Sequence, residues 1–205
     1  MNRESLIYTS SILNSLYSLT SKDIVNGFSR SYVGKYVNAY DENFIIGLYN
    51  RELKYHILEP QEIQILDLLL HWYKVVDRNS VYAEITFEDI DWIRDRNKYN
   101  KLHKQRAHEI YELAIRNLNE LYLIYGNEKE YLSCEVALNT ELKLIDIEYD
   151  SKTKGIRYKP NKILKQIDED NQLILIPYNI YKYKYEENIK YQLFRYLATS
   201  IFMNR

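Results

Sequence analysis

A chain of 205 residues that is 46% apolar, with only five glycines and three prolines, can bury a core as one large or two small domains with few flexible linkers. Its single cysteine, Cys134, excludes an internal disulfide framework and fits a reducing cytoplasm. A formal net charge of −1 excludes a uniformly basic surface, so any grip on nucleic acid must come from uneven placement of charge.

The opening Met1-Asn2-Arg3-Glu4 leads into apolar positions mixed with Ser and Tyr, not the continuous apolar run of a secretory leader. No later stretch is long enough to cross a membrane, so a cytoplasmic protein without a membrane partner is expected. Leu6, Ile7, Leu13, Leu16 and Tyr17 recur near helical spacing and predict a short packing helix over Leu6–Leu19. From Ser21 to Glu59 the pattern breaks up around Gly27, Gly34 and Gly47. This stretch is expected to wrap the following core or supply a dimer contact.

Pro60 opens a clearer helix, since proline suits a first helical turn. Ile63, Leu66, Leu69, Leu70 and Tyr73 form its apolar stripe, and Asp77–Ser80 ends it as a loop. A short strand follows at Val81–Ile85. Thr86 is then placed to cap a helix through Ile90, Trp92 and Ile93, with Asp89 at the reciprocal capping position. That helix fades at Arg94–Asn97. A long helix is predicted from about Lys101 to Tyr125, with Ala107, Ile110, Tyr111, Ala114, Leu118, Leu121 and Tyr122 on its core face and Gly126 as its stop.

Beyond Gly126 the period becomes strand-like at Tyr131–Val136, where Cys134 reads as a half-buried strand residue, and again at Leu142–Tyr149. Asp150–Gly155 reads as a hairpin tip returning to Ile156–Tyr158. A short helix (Ile163, Leu164, Ile167), an apolar strand or plug at Leu173–Pro177 and a final helix near Glu186–Met203 complete the chain. The final helix is expected to bury Ile189, Leu193, Leu197 and Ile201. The order helix, strand, helix, long helix, β-hairpin predicts an α+β fold, mainly α: a winged helix-turn-helix over 58–160, preceded by an N-terminal segment 1–57 and followed by a C-terminal helical extension 161–205.

Catalytic chemistry finds little support. The four histidines, His56, His71, His103 and His108, form no His-x-His pair, and five-residue spacing suits joint ligation on one helix face poorly. Isolated glycines give no phosphate-cradling loop. No catalytic residue, metal ligand, cofactor or small-molecule substrate is therefore expected, and the chain reads as a non-enzyme. The informative residues are basic. Arg94, Arg96, Lys98, Lys101, Lys104 and Arg106 face only Asp95, a local excess of five positive charges over a turn and a helix start. A helix-turn-helix presents that region to the major groove, where Gln105 and the basic side chains would meet base edges and phosphates. The competing account, a solvated helix start, explains the lysines less well because they oppose the helix dipole. A second acid-free run, Lys152 to Lys165, places Lys152 and Lys154 at the wing tip, with Arg157 behind them. A lysine-rich tip is also ordinary solubility chemistry.

Ile85-Thr86-Phe87-Glu88-Asp89-Ile90, the helix Lys104–Leu123 and Gly155-Ile156-Arg157-Tyr158-Lys159-Pro160 together resemble the first winged-helix domain of plasmid replication initiator (Rep) proteins. Leu175-Ile176-Pro177 followed by a Tyr-Lys-Tyr stretch and Phe194-Arg195-Tyr196-Leu197 extends the resemblance across residues 58–205. The resemblance implies a homodimerising domain that contacts the backbone of double-stranded DNA at origin-type repeats, with a second winged helix reading the repeat. On that basis the chain is a fragment of a two-domain initiator or a one-domain relative. A segregation or transcription regulator and a protein–protein interaction module that has lost DNA contact are the alternatives.

Overall fold

The computed structural model describes residues 6–10, 33–37, 43–52, 56–76, 81–94, 100–127, 143–161 and 173–177, together with 193 and 197. Helix α1, Pro60–Val76, begins where the sequence places it. Proline at its start has no N–H to leave unsatisfied. Glu62 in the first turn reaches back, its Oε2 accepting the Glu59 N–H at 2.8 Å. Ile63, Leu66, Leu69 and Tyr73 are buried as expected, but so are Ile65, Leu68 and the polar Gln64, Asp67 and His71. The helix is therefore enclosed on nearly all sides and does not lie at the surface on one apolar stripe.

Strand β4, Ala83–Thr86, runs directly into α2, Phe87–Ile93. Thr86 Oγ1 accepts the Asp89 N–H at 3.2 Å, and Asp89 Oδ2 accepts the Thr86 N–H at 2.8 Å, so aspartate closes the capping box as read from sequence. Helix α3, Lys101–Asn119, is capped by Asn100, whose Oδ1 accepts the His103 N–H at 3.0 Å. Ala107, Tyr111, Ala114, Ile115 and Leu118 form its buried face.

The predicted end of this helix at Tyr125 is corrected. Glu120 terminates it, and Tyr122–Asn127 forms strand β5, with Gly126 opposite Ile45 inside a sheet and not at a helix cap. Aromatic and β-branched residues at 122–125 suit a pleated sheet. Their partner strand lies far earlier in sequence, so tertiary pairing overrides the local helical period.

Strand β6, Ile145–Asp150, and β7, Gly155–Pro160, make the expected hairpin in register Ile145↔Pro160 to Asp150↔Gly155. β4 joins the far side of β7, giving the antiparallel order β4-β7-β6. Ala83, Ile85, Ile145, Ile147, Ile156 and Tyr158 are buried, while Glu84, Glu148 and Arg157 face solvent, the period-two alternation of a half-buried sheet. Tyr158 donates its hydroxyl to the Leu69 carbonyl of α1 at 2.7 Å, and burial pushes its ionisation well above the ordinary tyrosine range. Replacing Tyr158 with phenylalanine should cost about 1 kcal/mol, the net value of one hydrogen bond. Chemical denaturation reads this as a lower midpoint with an unchanged slope.

The N-terminal reading is corrected more heavily. Leu6–Ser10 is strand β1, not the start of a helix, and pairs antiparallel with β8, Leu173–Pro177, against α1. Within the stretch 21–59, β2, Val33–Val37, and β3, Asn43–Tyr49, complete the antiparallel sheet β2-β3-β5. Among the described residues strands match helices in residue number, and the fold is α+β. Leu193 and Leu197, expected to be buried, are 53% and 43% exposed. Spacing marks the face they share but not what covers it. The loop 77–80, the strand 131–136 with Cys134, the short helix at 163–167, and Ile189 and Ile201 of the final helix lie outside the described residues.

Candidate nucleic-acid interface

The N-terminal half of α3 and the β6–β7 tip stand side by side. Between them lies a groove of 460 Å³ lined by Lys101, Lys104, Gln105, His108, Glu109, Glu112 and Lys154. Lys101, Gln105 and Arg106 are exposed and Lys104 is half-buried. Gln105 Nε2 donates a long 3.4 Å bond to Glu109 Oε1, one turn on. Lys152 is exposed at the tip.

Two of the predicted contacts fall elsewhere. Arg94 is only 1% exposed: its Nη2 donates to Gln64 Oε1 of α1 at 2.6 Å and its guanidinium lies 5.6 Å from the Tyr111 ring centre. A guanidinium enclosed in this way ties α2 to α1 and α3, and is withdrawn from the DNA-facing set. Arg157 faces away from the groove on the outer side of the sheet. There Nη1 meets Glu148 Oε2 at 3.2 Å, Nε lies 3.8 Å from Glu84 Oε1, and the guanidinium stacks over Tyr82 at 4.5 Å.

Lys154 is in the groove but turned inward. Its backbone takes a left-handed φ of 54°, and Nζ reaches Tyr149 Oη at 3.1 Å and Glu112 Oε2 at 3.3 Å. Its carbonyl accepts the Phe87 N–H of α2 at 3.2 Å. The hairpin tip is thereby fastened to both α2 and α3 and is not a free-standing wing. Arg96 and Lys98 lie outside the described residues.

The electrostatics of the fastening are consistent. Burial would raise the Glu112 carboxyl, but hydrogen bonds from Lys154 and Tyr149 and the nearby Arg116 charge hold it below the usual range. Hydrogen bonds to Tyr149 and Glu112 push Lys154 upward, so it keeps its charge. At the tip, the Lys152 N–H and the Thr153 hydroxyl, both donating to Asp150, keep that carboxylate low and the turn closed.

Sequence reading missed the polar cluster behind the groove. Asp91 of α2 is 2% exposed, with Oδ2 at 2.8 Å from His108 Nε2 and Oδ1 accepting the Tyr111 hydroxyl at 2.9 Å. The available signal was an aspartate set among Ile90, Trp92 and Ile93, one step off the apolar positions of a short helix. Among the described residues no group of three or more His, Cys, Asp or Glu could hold a metal, and no helix is long and apolar enough to cross a membrane.

No protein-family model matches the chain, and no curated protein matches it. Among solved structures it is similar to a crystal structure of domains 2 and 3 of RctB, with a TM-score of 0.43 and 14% identity. The match covers 82% of this chain and spans 64% of that one.

Proposed function

We propose that residues 58–160 form a winged helix that binds double-stranded DNA, as the non-catalytic DNA-binding and dimerisation domain of a replication initiator. One observation carries the DNA reading: the N-terminal half of α3 presents Lys101, Lys104, Gln105 and Arg106 beside the β6–β7 tip. The element order α1, β4, α2, α3, β6, β7, with sheet order β4-β7-β6, supports a winged-helix reading, in which the third helix would enter the major groove. The lysines and arginine would meet phosphates, and Gln105 an adenine edge. Replication and dimerisation rest on the sequence resemblance at residues 85–90, 104–123 and 155–160. One departure stands out: between α3 and β6 the chain leaves this plan to place β5 beside β3.

The test is a salt-titrated fluorescence-anisotropy measurement on labelled duplex, comparing the native chain with the triple variant Lys101→Glu, Lys104→Glu, Arg106→Glu. Each phosphate contact contributes about 0.9 to the log–log salt slope, so the variant should flatten it by roughly two to three units. Equal affinity and slope in the two proteins would sink the reading. A second reading is favoured by Leu102 and Leu113, 56% and 55% exposed and separated by a near-whole number of turns on α3. In that reading the same face docks a protein partner, and partner assembly would survive the charge reversal with no DNA function lost.

A further inference from the structure

The cluster behind the groove carries a more specific assignment, which rests on the DNA reading above. We infer that the groove between α3 and the hairpin seats a backbone phosphate of the duplex, and that His108, held by buried Asp91, binds it as an imidazolium.

The geometry begins with Asp91. A carboxylate enclosed to this degree needs hydrogen-bonded partners or an opposite charge. Tyr111 satisfies one oxygen and His108 Nε2 the other, which fixes the carboxylate on both sides. An ionised Asp91 can only accept at this contact, which places the shared hydrogen on Nε2 and leaves Nδ1 as the second proton site. The Phe87 ring packs edge-on to the imidazole at 5.1 Å between centres, holding it from the α2 side. The His108 side chain nevertheless stays 24% exposed and lines the groove.

Every charged group around this imidazole enters the balance. From α2 come Asp91 and, across the Tyr111 ring, Arg94. From α3 come Lys101, Lys104, Glu109 and Glu112, and from the hairpin Lys154 with the Tyr149 hydroxyl at its Nζ. Asp91 and Arg94 offset each other, and three lysines against two glutamates line the groove, a net +1 with neutral His108 and +2 with its imidazolium. One proton therefore adds a positive charge at the groove wall and strengthens its attraction for a phosphodiester. Glu112 is already engaged by Lys154 and Arg116, and Glu109 by Gln105, so the carboxylates are partly shielded from an incoming anion.

The sign follows from linkage. A bound phosphate stabilises the charged ring, so the complex holds the His108 proton more tightly than the free protein. DNA binding then takes up a proton, tightening as pH falls through the imidazole range and weakening above it.

The experiment measures anisotropy of a fluorescein-labelled, mixed-sequence duplex against the full chain at fixed salt, at about pH 6 and pH 8, near either side of the imidazole pKa. Native protein should bind about two- to sixfold more tightly at the lower pH, the range that one linked proton gives between those two pH values. His108→Gln should flatten that difference, whereas His103→Gln, on the same helix but outside the groove, should keep it. A second readout is the NMR titration of the His108 imidazole, whose midpoint should rise when duplex is added. Salt-sensitive binding with no pH difference, a difference that survives in His108→Gln, or an unmoved midpoint overturns this inference alone. Absence of duplex binding at both pH values overturns the DNA reading and this inference with it.

Discussion

Replacing Phe87 with alanine is expected to destabilise the chain by about 3–5 kcal/mol, the range for deleting a buried aromatic side chain. Phe87 has no exposed surface, and its ring is a shared contact of three elements. It stands edge-on to Tyr111 of α3 (5.6 Å, 84°) and stacks on Tyr149 of the hairpin (5.6 Å, 16°), while belonging to α2 itself. Each aromatic pair adds about 0.5–1.5 kcal/mol beyond simple area burial. The cavity left by alanine would open where α2, α3 and the hairpin meet, so collapse around it should be incomplete. Urea denaturation supplies the measurement, and amide exchange supplies the location. Protection in β6 and β7 should fall more than protection in α1. A loss below about 1 kcal/mol, the scale of an ordinary surface change, would show that these three elements do not depend on the ring.

The second large effect concerns Glu62. Its carboxylate is fully enclosed and accepts from three directions: Asn117 Nδ2 of α3 at 2.7 Å, His56 Nε2 at 2.8 Å and the Glu59 N–H at 2.8 Å. It therefore binds the approach segment, the start of α1 and the C-terminal end of α3 at one point. Glu62→Ala should cost about 3 kcal/mol, because the donors lose their acceptor in a site shielded from water. Glu62→Gln keeps one carbonyl oxygen but turns a donor toward the others, so its loss should be smaller. Calorimetric or urea midpoints that rank the two variants equally would show that the enclosed volume matters and the acceptor does not.

Neither of these residues was marked by the sequence as important, and the reason differs between them. Phe87 directly follows the capping Thr86, but its ring partners come from α3 and the hairpin. Glu62 lies in the first turn of α1, where an acidic residue is the ordinary complement to a helix dipole. Only the packing of α3 against α1 shows that its second oxygen serves a residue late in the chain.

The basic cluster shows the same limit in charge. Counting charges along 94–106 marked a stretch in which Lys101, Gln105 and Arg106 are exposed where α3 begins. Counting cannot tell which side of the chain a charge faces. Arg94 turns inward to Gln64 and Tyr111, and Arg157 sits between two glutamates on the outer sheet face. Lys154 spends its charge on Glu112 and Tyr149.

By itself, the sequence determined the features whose partners are close in the chain: the start of α1, the Thr86–Asp89 box, the start of α3 and the 150–155 hairpin. Each rests on bonds spanning a few residues, so local residue types and period suffice. Tertiary structure alone decided that Leu6–Ser10 and Tyr122–Asn127 are strands, because their partners are Leu173–Pro177 and Asn43–Tyr49. A strand's free energy comes from the neighbour it pairs with, and no local pattern names a distant neighbour. The groove follows the same rule. Its lysines were visible in the sequence, but the groove between α3 and the fastened hairpin, with Asp91 bonded to His108 behind it, exists only once three separate segments are packed together.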